Sequence, residues 1–267
     1  MVSEIRIQNI KFSYTEHAEV LKGLQFILKE QSTAIIGQNG AGKTTFVKLL
    51  KGLIRPSSGD IFLNDKNLRE YTASELARHI GLVFQNPNDQ IFKNNVLDEV
   101  MFGPLHIAQD KNEAKRSALD ALKMVGLETY AHKNPYDLSL AERKMIAIAS
   151  ILAMDTKVII FDEPTMGQDY VGKQRIKEII WSLRRRGKLV ICILHDMDFA
   201  AEVFERTIVF NEGNILLDGT PATVFTNKEM LEKANLAQPY VIQVANQLEV
   251  EGTHLTVEQL IEGVRPQ

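Results

Sequence analysis

The segment Gly37-Gln38-Asn39-Gly40-Ala41-Gly42-Lys43-Thr44 constrains this chain more than any other. It fits G-x-x-x-x-G-K-[ST], a loop that needs a strand before it and a helix after it. Both are at hand. Thr33-Ala34-Ile35-Ile36 is a short apolar run that stops at Gly37, and a helix is expected from Gly42 to about Lys51. The glycines let the backbone close around an anion with no side chain in the way. Backbone N–H groups and the helix N-terminus then face phosphate oxygens. In that frame Lys43 reaches the β- and γ-phosphates, and the Thr44 hydroxyl is a ligand for Mg2+.

Two further strand ends complete the pattern. Val158-Ile159-Ile160-Phe161 is a bare apolar run that ends in Asp162-Glu163. An acid at the C-terminal tip of a buried parallel strand lies beside such a cradle. Asp162 is expected to hold Mg2+ and Glu163 to orient and activate an attacking water. His195 directly follows a third apolar run, Leu189 to Leu194. It is read as a hydrogen-bonding group for the γ-phosphate or the water.

The rest of the chain is consistent with this frame. Its 267 residues allow one large domain or two smaller ones, and 45% hydrophobic with 24% charged residues is an ordinary globular profile. Disordered, collagenous and disulfide-scaffold classes are excluded. A net charge of −3 gives no reason to expect a nucleic-acid partner. The lone cysteine, Cys192, sits in an apolar run and fits a reducing compartment. No run approaches the ~18–20 apolar residues of a spanning helix.

Apolar alternation at Ile5, Ile7, Ile10 and Phe12, and at Leu24, Phe26 and Leu28, predicts antiparallel strands near the start. Helical spacing dominates from about 90 to 155, with one helix through Ala114, Ala118, Leu122 and Val125 and another beginning near Ser139. Strands and helices then alternate, as in a mainly parallel α/β sheet. Ile208-Val209-Phe210 and Ile215-Leu216-Leu217 predict a hairpin around Glu212-Gly213-Asn214. The domain reading is a nucleotide-binding domain over 1–220 and a small helical extension over 221–267. Leu231 to Leu236, Val241 to Leu248, and Val257 to Val264 are its amphipathic stripes.

The order of these motifs resembles the ATP-binding cassette family: the cradle at 37–44, Gln85, Leu138-Ser139, Asp162-Glu163-Pro164-Thr165, then His195. The resemblance covers about residues 1 to 220. It implies a P-loop NTPase core with an antiparallel β subdomain and a helical signature subdomain. It also implies ATP hydrolysis with Mg2+, by two cassettes paired head to tail. Each ATP then lies between one chain's cradle and the other chain's signature helix. Carried over residue by residue, nucleotide contact falls to Gly37, Gln38, Asn39, Gly40, Ala41, Gly42, Lys43, Thr44 and Thr45, to Tyr14 stacking on adenine, and to Ser139. Glu163, His195 and Gln85 are the catalytic set, and Thr44, Gln85 and Asp162 the metal set. Gly167, Gln168 and Asp169 fall in the loop where Ser-Ala-Leu-Asp is usual.

A narrower likeness rests on Phe84 through Phe92, Asp98-Glu99-Val100 and Phe102-Gly103-Pro104. These are similar to the energy-coupling factor (ECF) and cobalt/nickel-type uptake ATPases. The likeness implies a membrane T component, a substrate-binding S component, and a vitamin or transition-metal ion as cargo. The chain is then expected in the cytoplasm, on the inner face of the cell membrane. One motif departs from the pattern: Leu-Ser-Gly-Gly-Gln reads Leu138-Ser139-Leu140-Ala141-Glu142 here. The altered signature would weaken the partner's site in a heterodimer and both sites in a homodimer. A non-transport cassette ATPase and a nucleotide-gated interaction module stay open as alternatives.

Overall fold

The apolar runs pair into two sheets in a computed structural model that describes residues 4–15, 18–107 and 110–264. In chain order the strands are β1 (Ile5–Ser13), β2 (Glu19–Leu28), β3 (Ser32–Ile36), β4 (Ser58–Leu63), β5 (Lys66–Asn67), β6 (Ile80–Val83), β7 (Val158–Asp162), β8 (Leu189–Ile193), β9 (Arg206–Asn211) and β10 (Asn214–Gly219). The helices are α1 (Lys43–Leu50), α2 (Ala73–Ala77), α3 (Val96–His106), α4 (Lys111–Val125), α5 (Leu140–Ala153), α6 (Tyr170–Arg185), α7 (Met197–Val203), α8 (Pro221–Thr226), α9 (Lys228–Lys233), α10 (Tyr240–Gln247) and α11 (Val257–Val264).

The larger sheet runs β10-β9-β3-β8-β7-β6, parallel except for the β9–β10 hairpin. Both of its faces are covered, which is why its central strands β3, β7 and β8 are buried at every position and mostly apolar. Alternate residues point into two cores. Ala34, Ile36, Ile159, Phe161, Val190 and Cys192 join the helices α3 to α7. Ile35, Val158, Ile160, Leu189, Ile191 and Ile193 join α1 and the smaller sheet. That smaller sheet is antiparallel, in the order β2-β1-β4-β5.

The pairs Ile5/Ile7 and Ile10/Phe12 lie on one strand, β1. A bulge between Ile7 and Ile10 carries Asn9 at φ 48°, so the burial phase slips and both apolar pairs reach the core. Helices α3, α4 and α5 pack on one another and form the helical subdomain. Helix α4 is capped by Asp110 and stopped by Gly126 at φ 72°. The three arginines Arg184, Arg185 and Arg186 end α6, and Gly187 at φ 69° turns the chain.

Beyond Gly219 the helices α8, α9 and α10 lie against the core. Val224, Phe225, Leu231 and Ile242 are buried in the same cluster as Val209 and Phe199. The Asp198 carboxylate of α7 accepts the Tyr240 N–H at 2.8 Å and so caps α10. Burial raises the Asp198 carboxyl above its ordinary value. The first stripe, Leu231 to Leu236, is only partly helical. The Asn227 side chain caps Met230 N–H, so the helix starts at Lys228, and Asn235 at φ 50° ends it. Residues 265–267 of the extension lie outside the described residues.

Candidate functional site

Four neighbouring strand ends make the site. β3 leads into the loop 37–42, β8 into His195, β7 into Glu163 and β6 into Gln85, all at the carboxyl edge of the parallel sheet. The loop can turn there only with glycine. Gly37 has φ 152°, and a Cβ on it would stand 2.3 Å from the Phe210 carbonyl oxygen. Gly42 has φ 101° and leads directly into α1. A cleft of about 380 Å3 opens over the loop. It is lined by Tyr14, Val20, Asn39 to Thr45, Gln85, Glu163 and His195.

In this cleft and just beneath it the polar groups are unevenly paired. The Lys43 ammonium, 6% exposed, is turned back onto its own loop and donates to the carbonyls of Gly37 at 2.6 Å and Gln38 at 3.0 Å. Burial lowers its pKa, and the charges of Glu163 and Asp162 oppose that shift. The Thr44 hydroxyl is exposed to the cleft and has no protein partner among the described residues. Asp162 is buried, and its Oδ1 makes no hydrogen bond. Burial, helped by Glu163, pushes its pKa up to about 6, against the pull of Lys144 and Lys43.

Glu163 and His195 meet. The His195 Nε2 lies 3.1 Å from the Glu163 Oε1. Glu163 holds φ 48°, a left-handed backbone uncommon for glutamate, fixed by its N–H on the Ile193 carbonyl at 3.1 Å. Tyr14 lies just past β1 and is 56% exposed. Its hydroxyl is 3.3 Å from Thr45 Oγ1, and its ring packs edge-on against Phe12 at 4.8 Å. Gln85 is exposed at the cleft rim, its amide 3.9 Å from Met166 Sδ.

Ser139 stands apart from this group. It caps α5 and lines a second, shallower pocket of about 360 Å3 with Ala141, Glu142, Gly167, Gln168, Asp169 and Arg175. Its hydroxyl and N–H both donate to Glu142 Oε2, at 2.7 Å and 2.8 Å, and the Glu142 N–H returns a bond to Ser139 Oγ. Those bonds hold the Glu142 carboxyl below its ordinary value. Leu140 is 48% exposed at the first helical position.

The ABC transporter family model matches residues 21–166, more than half of the chain. The chain belongs to the ABC transporter family of ATPases. A putative ABC transporter ATP-binding protein of Methanosarcina mazei is 39% identical over 97% of this ABC ATPase. The present chain spans 45% of that relative's length. The energy-coupling factor transporter ATP-binding protein EcfA of Methanocaldococcus jannaschii is 38% identical over 91% of this chain and 89% of its own. Among solved structures, cbiO1 from Clostridium perfringens, part of the ABC transporter complex cbiONQ, superposes with TM-score 0.78. It has 32% identity and covers 92% of this chain and 98% of its own. A dimeric ATP-binding cassette in a post-hydrolysis state, bound to ADP and Pi, gives TM-score 0.74 at 26% identity, over 81% of this chain and 98% of its own. The ABC ATPase carries, among the described residues, no helix long and apolar enough to cross a membrane.

The fit to Mg2+ rests on this chain's own atoms. No group of three or more His, Cys, Asp or Glu is placed to hold a metal among the described residues. A buried, unpaired Asp162 oxygen, the free Thr44 hydroxyl and the Gln85 amide are all oxygen donors, the set that suits Mg2+ shared with phosphate oxygens. Sequence reasoning missed Lys144. It is 2% exposed and donates to three main-chain carbonyls beside the cleft. Its place on the buried face of α5, four residues before Ile148, was the available signal.

Proposed function

We propose that this chain is the ATP-hydrolysing subunit of an ECF-type importer, paired with a second cassette chain and docked on separate membrane T and S components. The cargo in that reading is a vitamin or a transition-metal ion. The observation that carries the ATPase part is the cleft and its wall, where Lys43 is bonded only to its own loop's carbonyls, the Thr44 hydroxyl has no partner among the described residues, the adjoining Asp162 Oδ1 is buried and unpaired, and Glu163 and His195 face one another. The EcfA and cbiO1 likenesses support the importer part.

ATP lies with its adenine on the exposed ring of Tyr14 and its phosphates in the loop 37–42. Lys43 leaves the carbonyls of Gly37 and Gln38 for phosphate oxygens, a stronger charge-assisted contact. Thr44, Asp162 and Gln85 would hold Mg2+, which neutralises β- and γ-phosphate charge when bound. Glu163 takes the proton of the attacking water, and His195, in reach of Glu163, orients it and the γ-phosphate. Thr45 anchors Tyr14 below the base.

Ser139 faces away from this cleft in a pocket of its own. That supports a head-to-tail pair in which α5 serves the partner's nucleotide. Purification of the tagged chain from its host membrane, followed by phosphate release, tests the proposal. A second cassette and two strongly hydrophobic subunits should copurify. Recovery of an active ATPase alone, or with ribosomes or DNA, would refute the importer reading.

A further inference from the structure

Lys144 is a buried cation with no carboxylate within bonding distance. Its three N–H groups go to Phe84 O at 2.9 Å, Gln85 O at 2.6 Å and Asp162 O at 3.3 Å. Three donors meet three main-chain acceptors, so the ammonium is fully used. A methionine fills nearly the same volume without the penalty of burying a charge. What the lysine adds is direction: it ties α5 to the ends of β6 and β7.

Gln90 makes the same tie from the other side. Its Oε1 accepts the Phe84 N–H at 3.0 Å, and its Nε2 donates to Ala147 O and Ser150 Oγ, both at 2.9 Å. Phe84 is thus held at both its N–H and its carbonyl by groups on or bonded to α5. Arg143 adds a third tie, to Asn88 Oδ1 at 2.7 Å. The segment 84–90, which carries Gln85, is stitched along α5 from Arg143 to Ser150. The cap of that helix is Ser139, five residues or ~7.5 Å of helix rise before Lys144.

We propose that Lys144, with Gln90, is a positioning residue. It locks Gln85 and the Asp162 strand tip to α5, so the chain's own ATP site follows any displacement of the helix that faces the partner's nucleotide. This rests on the paired-cassette reading above. The helix and the segment 84–90 move as one body, and the two half-sites of one chain are mechanically joined through an ammonium.

The test uses the full chain in its purified complex, as wild type and as Lys144→Met, Lys144→Gln and Gln90→Leu. Hydrogen exchange is followed for amides 84–90 and 145–153, and kcat is compared with the Kd of a fluorescent ATP analogue. In Lys144→Met the amides 84–90 should exchange at least tenfold faster, while 145–153 keep wild-type rates. kcat should fall at least tenfold with Kd within twofold. Lys144→Gln, which keeps two donors, should recover a third or more of the lost kcat. A folded Lys144→Met with kcat within twofold of wild type overturns the proposal. So does exchange that rises equally in both segments, which marks general loosening. Should Lys144→Met fail to fold, Gln90→Leu decides: threefold or greater loss of kcat with faster exchange at 84–90 supports the tie, and wild-type values overturn it. The exchange readout needs no turnover. A wild-type complex without ATPase activity would therefore sink the proposed function and leave this inference measurable.

Discussion

In the proposed pairing the chain carries two half-sites, and they solve the polar-satisfaction problem in different ways. In the cleft over β3, β7 and β8, Asp162 Oδ1 is buried without a partner, and Lys43 is parked on its own loop's carbonyls. At the signature end of α5, Ser139 and Glu142 satisfy one another by exchanging three hydrogen bonds. An unsatisfied buried group is destabilising and rare, so Asp162 Oδ1 marks a place built for something absent from the chain. A self-satisfied cap marks a surface that keeps its shape whether or not a partner is present. The cleft therefore supplies charge and chemistry, while the signature end supplies position.

The largest effect that sharpens this contrast is at Glu163. Glu163→Gln keeps the size of the side chain and its contact with His195 but removes the base. Phosphate release should fall at least ~100-fold, the usual worth of a positioned general base. ATP affinity should stay within about threefold. Residual turnover within tenfold of wild type would place the base elsewhere and dissolve the division of labour between the half-sites.

Asp162 comes next, and its effect is on stability as well as function. Its pKa is raised from the ordinary 3.8 to about 6. Between those values the folded chain holds more protons than the unfolded chain. Without nucleotide and Mg2+, stability from this group therefore falls as pH climbs from about 4 to 6, and the deficit persists above 6. That gap corresponds to roughly 3 kcal/mol at most. Asp162→Asn should thus be more stable than wild type at pH 7.5 in chelator, with the advantage shrinking toward pH 5. It should also lose Mg2+-dependent ATP hydrolysis. Denaturant melts of both proteins across that range check the sign, and an asparagine variant less stable than wild type at pH 7.5 would contradict it.

The cleft was legible in the sequence because its parts are local. A glycine loop, an acid pair and a histidine each follow an apolar run, and a parallel sheet carries such run ends to one edge. What escaped depends on distant neighbours. The bulge at Asn9 exists because β4 passes close by: a Cβ on Gly59 would stand 2.3 Å from the Asn9 carbonyl oxygen. Nothing in Ile5 to Phe12 itself records that approach. Lys144 looked like one more charge after the signature because its three acceptors lie 18 to 60 residues away. The start of α9 was misplaced for a different reason. The apolar residues mark the buried face, whereas the cap at Asn227 sets the boundary.

Tyr14 offers a smaller effect on the cleft side. Its side chain is largely exposed, and its hydroxyl rests near Thr45. Stacking is worth about 1 kcal/mol, so Tyr14→Ala should weaken ATP binding roughly fivefold, and Tyr14→Trp should restore it. Nucleotide titration distinguishes this from a role in folding, which would lower the melting temperature of the alanine variant without changing affinity in the folded fraction.

The smallest effect is at the other half-site and tests the contrast from its quiet end. Ser139 has a single hydroxyl proton, and it is given to Glu142. To donate to a phosphate of the partner's ATP, Ser139 must first release that carboxylate, whose charge also repels the phosphate. Glu142→Gln leaves a capping box that glutamine completes equally well, so stability should change by less than about 0.5 kcal/mol. The charge disappears, and turnover at the site that uses this signature should rise about two- to fivefold. In a heterodimer, that rise is read with the other cassette's site silenced by its own base substitution. The chain's own cleft should bind ATP unchanged, since Ser139 and Glu142 line a different pocket. A change in that affinity would show that the two half-sites are not separable in the way their hydrogen bonding implies.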